Sequence, residues 1–354
     1  MSFGERIKSA RAAAKLSLRG LSDAVGVSHT QIAKYESGAD MPSSGVLIKL
    51  ADALGQSVDY FFRASTVTLS QPCWRRKASM GVKAERALLA DIQDWLERYL
   101  AAESIMAARD LDGWNYVRPT GLRSTVADAD GAEAAANELR REWDLGTDSI
   151  ENLAELLETK GVKVWLVSGD DAFDGCFLWA NDELPVIVVN SSRPLDRQRF
   201  DLSHELGHLL FGDVEDERLI HRFAAALLFP AEMVLKEFGS HRKKLDVVTL
   251  HLLKHKYGLS MQAVARRARD SDIITQSTYV SLVKYFRMRG WHKCEPGDTY
   301  RGERGATRMQ RLILGALSEG VITESRASEL LGQPLDEYTR SFELEHGVQL
   351  ETMR

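Results

Sequence analysis

Two histidines four residues apart, His204 and His208, are the residues of this sequence best placed to do chemistry together. On a helix, that spacing puts both imidazoles on one face, one turn apart, where they can bind one metal ion. Zinc accepts neutral imidazole nitrogen readily. Glu205 follows the first histidine and can act as a general base toward the attacking water, passing the proton on later. The pattern therefore indicates a zinc-hydrolase site with one zinc ion per chain.

A hydrolytic zinc site needs a third protein ligand and one open position. An amphipathic helix predicted over residues 217–229 offers such a ligand at its start. The residues after the motif that can supply the ligand are Asp213, Glu215, Asp216, Glu217, His221 and Glu232. Spacing alone does not decide between them.

A second histidine pair, His251 and His255, has the same four-residue spacing. It has no adjacent acid in the arrangement seen at the first pair, and no second motif accompanies it. Because Lys254 and Lys256 are neighbours, we interpret these two as surface histidines.

The elements around the first pair are predicted to be a small sheet followed by two helices. The motif lies in a helix predicted over residues 196–211, with apolar residues that would bury it and exclude water from the site. Pro230 ends the second helix. The β-rich segments that precede the motif are Val162–Val167, Cys176–Trp179 and Pro185–Asn190.

The pattern RFDLSHELGHLLF, then Glu217, then RFAAALLFP resembles the ImmA/IrrE family of metallo-endopeptidases. The resemblance implies that His204, His208 and Glu217 bind the metal and that Glu205 is the catalytic base. The sequence departs from the common pattern at Ile220 and His221, where Ala and then Asn or Asp are usual, and at Gly212, where many members have His. His221 is one helical turn after Glu217, so it is either a group close to the metal or a polar residue beside the cleft.

Residues 4–62 read as a packed set of five short helices, with Gly26 in a tight turn between the second and the third. The segment LSDAVGVSHTQIAKYESG and its flanks resemble the Xre/Cro-type helix-turn-helix family. The resemblance implies a recognition helix that faces the major groove, with Gln31 reading an adenine edge and Lys34 contacting phosphate or guanine. The DNA-contacting residues that it implies are Arg19, Ser28, His29, Thr30, Gln31 and Lys34.

Charge gives this DNA-binding interpretation little support. The whole chain carries a formal net charge of −5, and residues 1–63 contain eight Lys or Arg against six Asp or Glu. A net charge of that size is small for a DNA-binding domain, so we expect a homodimer. The alternative is a helical bundle used only for dimerisation.

Composition limits the remaining classes of protein. The chain has 354 residues, which favours two or three domains. The three cysteines, Cys73, Cys176 and Cys294, are distant from one another, which argues against a disulfide framework and a cysteine zinc site. No signal peptide opens the sequence, and no uncharged apolar run reaches the length of a membrane span. We therefore expect a cytoplasmic protein.

These patterns predict a mainly α, multidomain fold. A five-helix, lambda-repressor-like domain is followed by an α+β zincin-like metallopeptidase domain with a small sheet, and by a helical C-terminal domain. Residues 66–69 are predicted to form a short strand in the linker, and residues 320–342 allow a second helix-turn-helix or a sensing unit. The expected domains are residues 1–63 (DNA binding), 64–130 (linker and helical brace), 131–240 (peptidase) and 241–354 (C-terminal).

Together the two resemblances imply a DNA-binding regulator fused to a zinc endopeptidase, similar to long HigA-type antitoxins. Its expected partners are operator DNA and a protein substrate, which is a repressor, a toxin or the chain itself, cleaved in a stress, phage or toxin–antitoxin response. The alternative is a non-proteolytic repressor or antitoxin whose peptidase-like domain is a sensor or docking module. A hydrolase of small molecules is a third class, which nothing in the sequence favours.

Overall fold

The structure is a computed structural model that describes residues 2–63, 66–76, 80–107, 115–169, 172–212, 214 and 216–346. The described residues form sixteen α-helices, one 3-10 helix and four strands. In chain order these are α1 (Phe3–Ala13), α2 (Leu18–Val25), α3 (His29–Ser37), α4 (Ser44–Leu54), the 3-10 helix Val58–Phe62, β1 (Cys73–Arg76), α5 (Val82–Ala107), α6 (Ala129–Glu142), α7 (Leu153–Thr159), β2 (Lys163–Val167), β3 (Phe173–Ala180), β4 (Leu184–Asn190), α8 (Leu195–Phe211), α9 (Glu217–Leu228), α10 (Ala231–Phe238), α11 (Val247–Tyr257), α12 (Met261–Asp270), α13 (Gln276–Met288), α14 (Arg308–Ser318), α15 (Glu324–Leu331) and α16 (Leu335–His346).

The chain divides into two compact units, each built from separated segments. The first unit comprises Met1–Leu69, Ala78–Gly113 and Arg308–Arg354, and the second comprises Ser70–Lys77 and Trp114–Thr307. The mainly α, multidomain architecture expected from the sequence is confirmed. The sequence analysis assigned consecutive domains, whereas these units are discontinuous and α14–α16 lie in the same unit as the N-terminal helices.

The N-terminal helices form because their ends are capped and their apolar faces meet. Ser17 and Ser28 accept backbone N–H bonds at the starts of α2 and α3, and Gly26 and Gly38 end these helices at positive φ. The fifth predicted helix is present as the 3-10 helix. The buried core of this segment consists of Ile7, Ala10, Leu21, Val25, Ile32, Tyr35, Leu50, Ala51, Leu54, Tyr60 and Phe61.

The 26-residue helix α5 holds the first unit together. Arg6 of α1 makes a buried ion pair with Glu97 of α5 (Nη2 to Oε2, 2.8 Å), and its Nε donates to the Arg63 carbonyl at 2.7 Å. Farther along α5, Arg98 Nη1 donates to the Leu330 carbonyl at 2.9 Å. Because a buried charge is costly unless it is paired, we expect the loss of either partner of the Arg6–Glu97 pair to be destabilising.

The C-terminal helices contain the turn that the sequence predicted for a second helix-turn-helix. Thr323 caps α15, and Gly332 ends it at a φ of +76°. A Cβ at Gly332 would lie 2.5 Å from Arg98 Nη1, so the turn packs closely on α5. Acidic residues occupy the first turns of both α15 and α16. That placement is unfavourable next to a phosphate backbone, and DNA contact by this segment stays a prediction.

The second unit is built on a four-stranded sheet in the order β1-β3-β4-β2. β3 pairs antiparallel with both β1 and β4, and β2 pairs parallel with β4. The three strands predicted from the sequence are present as β2, β3 and β4. The predicted strand at 66–69 is wrong, since the strand of this region is β1 at Cys73–Arg76. β1 is an edge strand of four residues, so it needs only one partner and little apolar pattern.

Helix α8 is the centre of the second unit's core. It contacts β3 and β4 and also packs against α7 and α9. Its residues from Asp201 to Phe211 are all buried. Among the described residues, no helix combines the length and the apolar character needed to cross a membrane.

Candidate metal centre

The two motif histidines lie side by side on α8. Their ring centroids are 4.9 Å apart and their Nε2 atoms are 3.1 Å apart. The side chains are only 1% and 5% exposed, because α9 and the sheet cover the helix on both sides. Two imidazole nitrogens so close together suit a shared ion far better than two isolated core histidines.

Glu217 is the acidic residue that reaches this pair. It is the first residue of α9, and its carboxylate oxygens lie 3.2 Å from His204 Nε2 and 3.4 Å from His208 Nε2. The three ligand atoms all lie within 4.8 Å of one another. The structure therefore brings together the three residues that the resemblance implied.

The other residues considered for the third ligand have different roles or are not described. Asp216 caps α9 and pairs with Arg218 at 2.8 Å, while Glu232 pairs with Lys236 at 2.7 Å. Asp213 and Glu215 lie outside the described residues.

Gly207 allows α9 to come close enough for Glu217 to reach the histidines. A Cβ at this position would lie 2.8 Å from Ile220 Cγ2 and 3.2 Å from Phe223 Cδ1, tighter than ordinary van der Waals contact. The glycine inside the histidine motif is thus explained by the approach of the two helices.

The Glu205 side chain lies on the sheet side of α8 and is fully buried. A Cβ at Gly175 of β3 would lie 3.1 Å from Glu205 Oε1, so the absence of a side chain at Gly175 leaves room for the carboxylate. Next along β3, burial raises the pKa of the Cys176 thiol, and the nearby Glu205 carboxylate raises it further. Sequence reasoning missed the contributions of Gly175 and Cys176, since nothing local indicates which residues oppose the motif helix.

His221 lies beside these three candidate ligands. Its ring centroid is 4.6 Å from that of His204, and its Nδ1 donates to the Glu217 carbonyl at 2.7 Å. Of the two roles weighed from the sequence, a group close to the metal and a polar residue at the cleft, this position suits the first. His221 supports both the ring of one ligand and the backbone of another.

The three convergent side chains fit a zinc ion by the chemistry of their donors. Two imidazole nitrogens and one carboxylate are a donor set that zinc binds in hydrolytic sites, and three protein ligands leave one position open. Within the described part of the chain, His208 Nδ1 has no hydrogen-bond partner, so its tautomer is not fixed by a neighbour.

The second histidine pair was interpreted from the sequence as surface residues, and the structure differs from that interpretation. His251 and His255 of α11 are both partly buried, and Asp298 comes close to them. No local pattern pointed to Asp298, since it is far from the pair along the chain.

The predicted DNA contacts lie at the start of α3 and on α2. Arg19, His29 and Lys34 are exposed. Ser28 is also exposed, but its hydroxyl caps α3 by accepting from the Gln31 N–H at 3.1 Å. The Gln31 amide donates to Asp40 Oδ2 at 2.6 Å, which lowers the pKa of that carboxyl. Contact of these residues with DNA stays a prediction.

Comparison with known proteins finds two family matches along the chain. A family described as Helix-turn-helix matches residues 7–61. A family described as IrrE N-terminal-like domain matches residues 161–269. The second match includes α8 and α9 and extends beyond residue 240, where the sequence analysis placed a boundary.

Curated relatives match a short part of the chain. Uncharacterized HTH-type transcriptional regulators of Rickettsia prowazekii and Rickettsia conorii are each 33% identical over 85 residues, which is 24% of this chain and 65% and 68% of theirs. The cryptic phage CTXphi transcriptional repressor RstR of Vibrio cholerae is 39% identical over 59 residues, 17% of this chain and 53% of its own. The chain thus spans between about half and two thirds of these relatives.

Proposed function

The chain belongs to the HTH-type transcriptional regulators, and from this premise we propose that it binds operator DNA and cleaves a regulatory protein with a zinc centre in its IrrE N-terminal-like domain. The observation that carries the second part is the convergence of His204, His208 and Glu217, with Glu205 next to the first of them. The presence of both domain families in one chain supports regulation by proteolysis.

The chemistry is hydrolysis of a peptide bond. When bound, a zinc ion supplies a Lewis acid that polarises the peptide carbonyl. His204, His208 and Glu217 would hold it. Glu205 takes a proton from the attacking water and gives it to the leaving amine. Gly175 of β3 leaves room for this carboxylate between α8 and the sheet.

DNA binding is proposed for the start of α3, with support from α2. His29, Thr30 and Lys34 are exposed there and can reach base edges or phosphates. Gln31 can read a base only after it leaves Asp40, while Ser28 contributes mainly by capping the helix. A homodimer would double the small positive charge of this domain and match a two-fold operator.

The substrate is proposed to be a partner repressor, a toxin or the linker of the chain itself. The experiment compares new protein N-termini in cells that carry the wild-type protein or Glu205→Gln, under DNA damage or phage challenge. We expect new N-termini, created by cleavage within such a regulator, in cells with the wild-type protein and not in cells with Glu205→Gln. Glu232→Gln is the control and should behave as wild type. If no terminus depends on Glu205 although both proteins hold zinc, the proteolytic function is wrong.

DNA binding is tested by its dependence on salt. Affinity for the promoter of the protein's own gene should fall as salt rises, and Lys34→Ala should lower the slope of log affinity against log salt by about 1. The matched control is Lys236→Ala, on α10, which should leave the slope unchanged. Binding with no salt dependence would contradict operator recognition.

A second candidate is a regulator that binds zinc but cuts nothing. It is favoured by burial, since Glu205, His204 and His208 are all nearly inaccessible in this structure. In that case removing zinc changes affinity for DNA, while Glu205→Gln changes neither affinity nor any cellular protein. The proteolytic candidate requires an effect of Glu205→Gln in cells.

A further inference from the structure

The second histidine pair has the geometry of a metal site of its own. His251 and His255 are one turn apart on α11, and their ring centroids are 4.6 Å apart. Asp298 Oδ1 lies 3.8 Å from His251 Nε2, and the ligand atoms of all three residues lie within 4.8 Å of one another. The centre on α8 and α9 offers the same types of donor, two imidazoles and one carboxylate, within the same limit of 4.8 Å.

The segment that carries Asp298 is held against α11 by contacts that do not involve a metal. A Cβ at Gly297, whose φ is +84°, would lie 2.6 Å from His251 Cε1, so the backbone of this segment packs directly on the imidazole. Glu295 accepts from Lys254 Nζ at 2.9 Å and from the Met261 N–H at 3.1 Å at the start of α12. Asp298 is therefore placed near the histidines by the fold.

The neighbouring lysines do not oppose a cation at this place. Lys254 Nζ pairs with Glu295 at 2.9 Å and with Asp196 at 3.5 Å, and Lys256 Nζ pairs with Glu237 at 2.6 Å. Because both lysines have carboxylate partners, their charges are partly neutralised, while Asp298 adds a negative charge next to His251.

His255 supplies an independent indication of a ligand. Its Nε2 is buried, and it has no hydrogen-bond partner among the described residues. A buried imidazole nitrogen without a partner is costly, and a metal ion bound to it removes that cost.

We propose that His251, His255 and Asp298 form a second metal site, which binds a divalent transition metal such as zinc, cobalt or nickel. Two imidazoles and one carboxylate exclude magnesium and calcium, which require mostly oxygen ligands. The residue after His251 is Leu252, so the site has no general base in the position of Glu205. Its role is to reinforce, through the metal, the contacts that already hold the segment around Asp298 against α11, and not to hydrolyse a substrate.

The experiment measures metal binding by the full-length protein after removal of metal with a chelator. Zinc is added in a calorimetric titration, and cobalt is added in a parallel titration followed by absorbance. The wild type should bind about two ions per chain, and His251→Asn with His255→Asn about one. His204→Asn with His208→Asn should keep the ion of the second site, so failure of the first centre is distinguishable from failure of this one.

Asp298→Asn is the variant that we expect to fold as the wild type does, because this side chain is 82% exposed. It should weaken binding at the second site by about 10-fold. Zinc should slow hydrogen exchange around residues 295–299 in the wild type and less so in this variant. His241→Asn, an exposed histidine elsewhere, is the control and should behave as wild type. The proposal is overturned if zinc and cobalt bind equally well to the wild type, to Asp298→Asn and to the folded His251/His255 variant.

Discussion

The two histidine pairs of the second unit share their spacing, and each meets a carboxylate from a later segment, but they differ in burial and in their neighbours. His204 is 1% exposed on a helix covered on both sides, whereas His251 is 25% exposed. Glu205 follows the first histidine of one pair, and Leu252 follows the first histidine of the other. We propose that the spacing of the histidines allows metal binding at both pairs, and that hydrolysis at the first pair also depends on its burial and on the adjacent Glu205.

The two centres also differ in the distance between the carboxylate and the imidazoles. Glu217 lies 3.2 Å and 3.4 Å from the two imidazoles of its centre, whereas Asp298 lies 3.8 Å from one. A ligand in contact with both histidines holds an ion more tightly than one at the rim. The first centre should therefore keep its ion under conditions in which the second one exchanges it.

One cysteine lies in each of the two regions, and the rates at which a reagent labels their thiols should show the largest difference between the regions. Cys176 is buried beside Glu205, and burial raises the pKa of its thiol, whereas Cys294 is exposed near Asp298. A thiol reagent should label Cys294 faster than Cys176 by about 1000-fold or more, because Cys176 reacts only after local opening. Peptide mapping distinguishes both from Cys73. Equal rates would mean that the two regions do not differ in burial.

The second largest difference is expected in the loss of zinc affinity when the carboxylate ligand of each centre is replaced. Glu217→Gln should weaken zinc binding at the first centre by at least about 100-fold, since loss of an outer partner alone already costs about 10- to 100-fold. The same measurement on Asp298→Asn gives the smaller change described above. If the Asp298 substitution were the more damaging, the ranking of the two centres would be reversed.

Gly207→Ala tests the close approach of α8 and α9. The added Cβ meets Ile220 and Phe223, so we expect a loss of about 1–3 kcal/mol in the free energy of unfolding, measured with urea. Zinc affinity at the first centre should also fall, since α9 carries Glu217. The control is Gly315→Ala in α14, where the nearest atom to the added Cβ is 3.9 Å away and no loss is expected. Equal stability of Gly207→Ala and wild type would show that the approach is not tight.

Local patterns made much of this fold predictable. The capping serines and turn glycines located α2 and α3, and the β-rich segments located β2, β3 and β4. The histidine spacing located the first centre, because both ligands lie within one turn of one helix. Glu217 followed from the resemblance, since spacing left several candidates open.

Contacts between distant segments were not predictable in the same way. β1 is a four-residue edge strand whose apolar pattern is too short to detect, and it was expected at 66–69. Asp298 reaches α11 only through the fold, and the packing of α15 on α5 depends on Arg98. The Gln31–Asp40 hydrogen bond also joins residues without a local pattern. Each of these depends on tertiary packing, which a single sequence does not reveal.

Zinc content of protein purified without added metal or chelator tests the central claim most directly. Because Glu205 is assigned as a base and not as a ligand, wild type and Glu205→Gln should retain the same zinc at the first centre, about one ion per chain. His204→Asn with His208→Asn should lose that ion. Wild-type protein without zinc, or a Glu205→Gln protein that loses zinc as the histidine variant does, would contradict the centre described here.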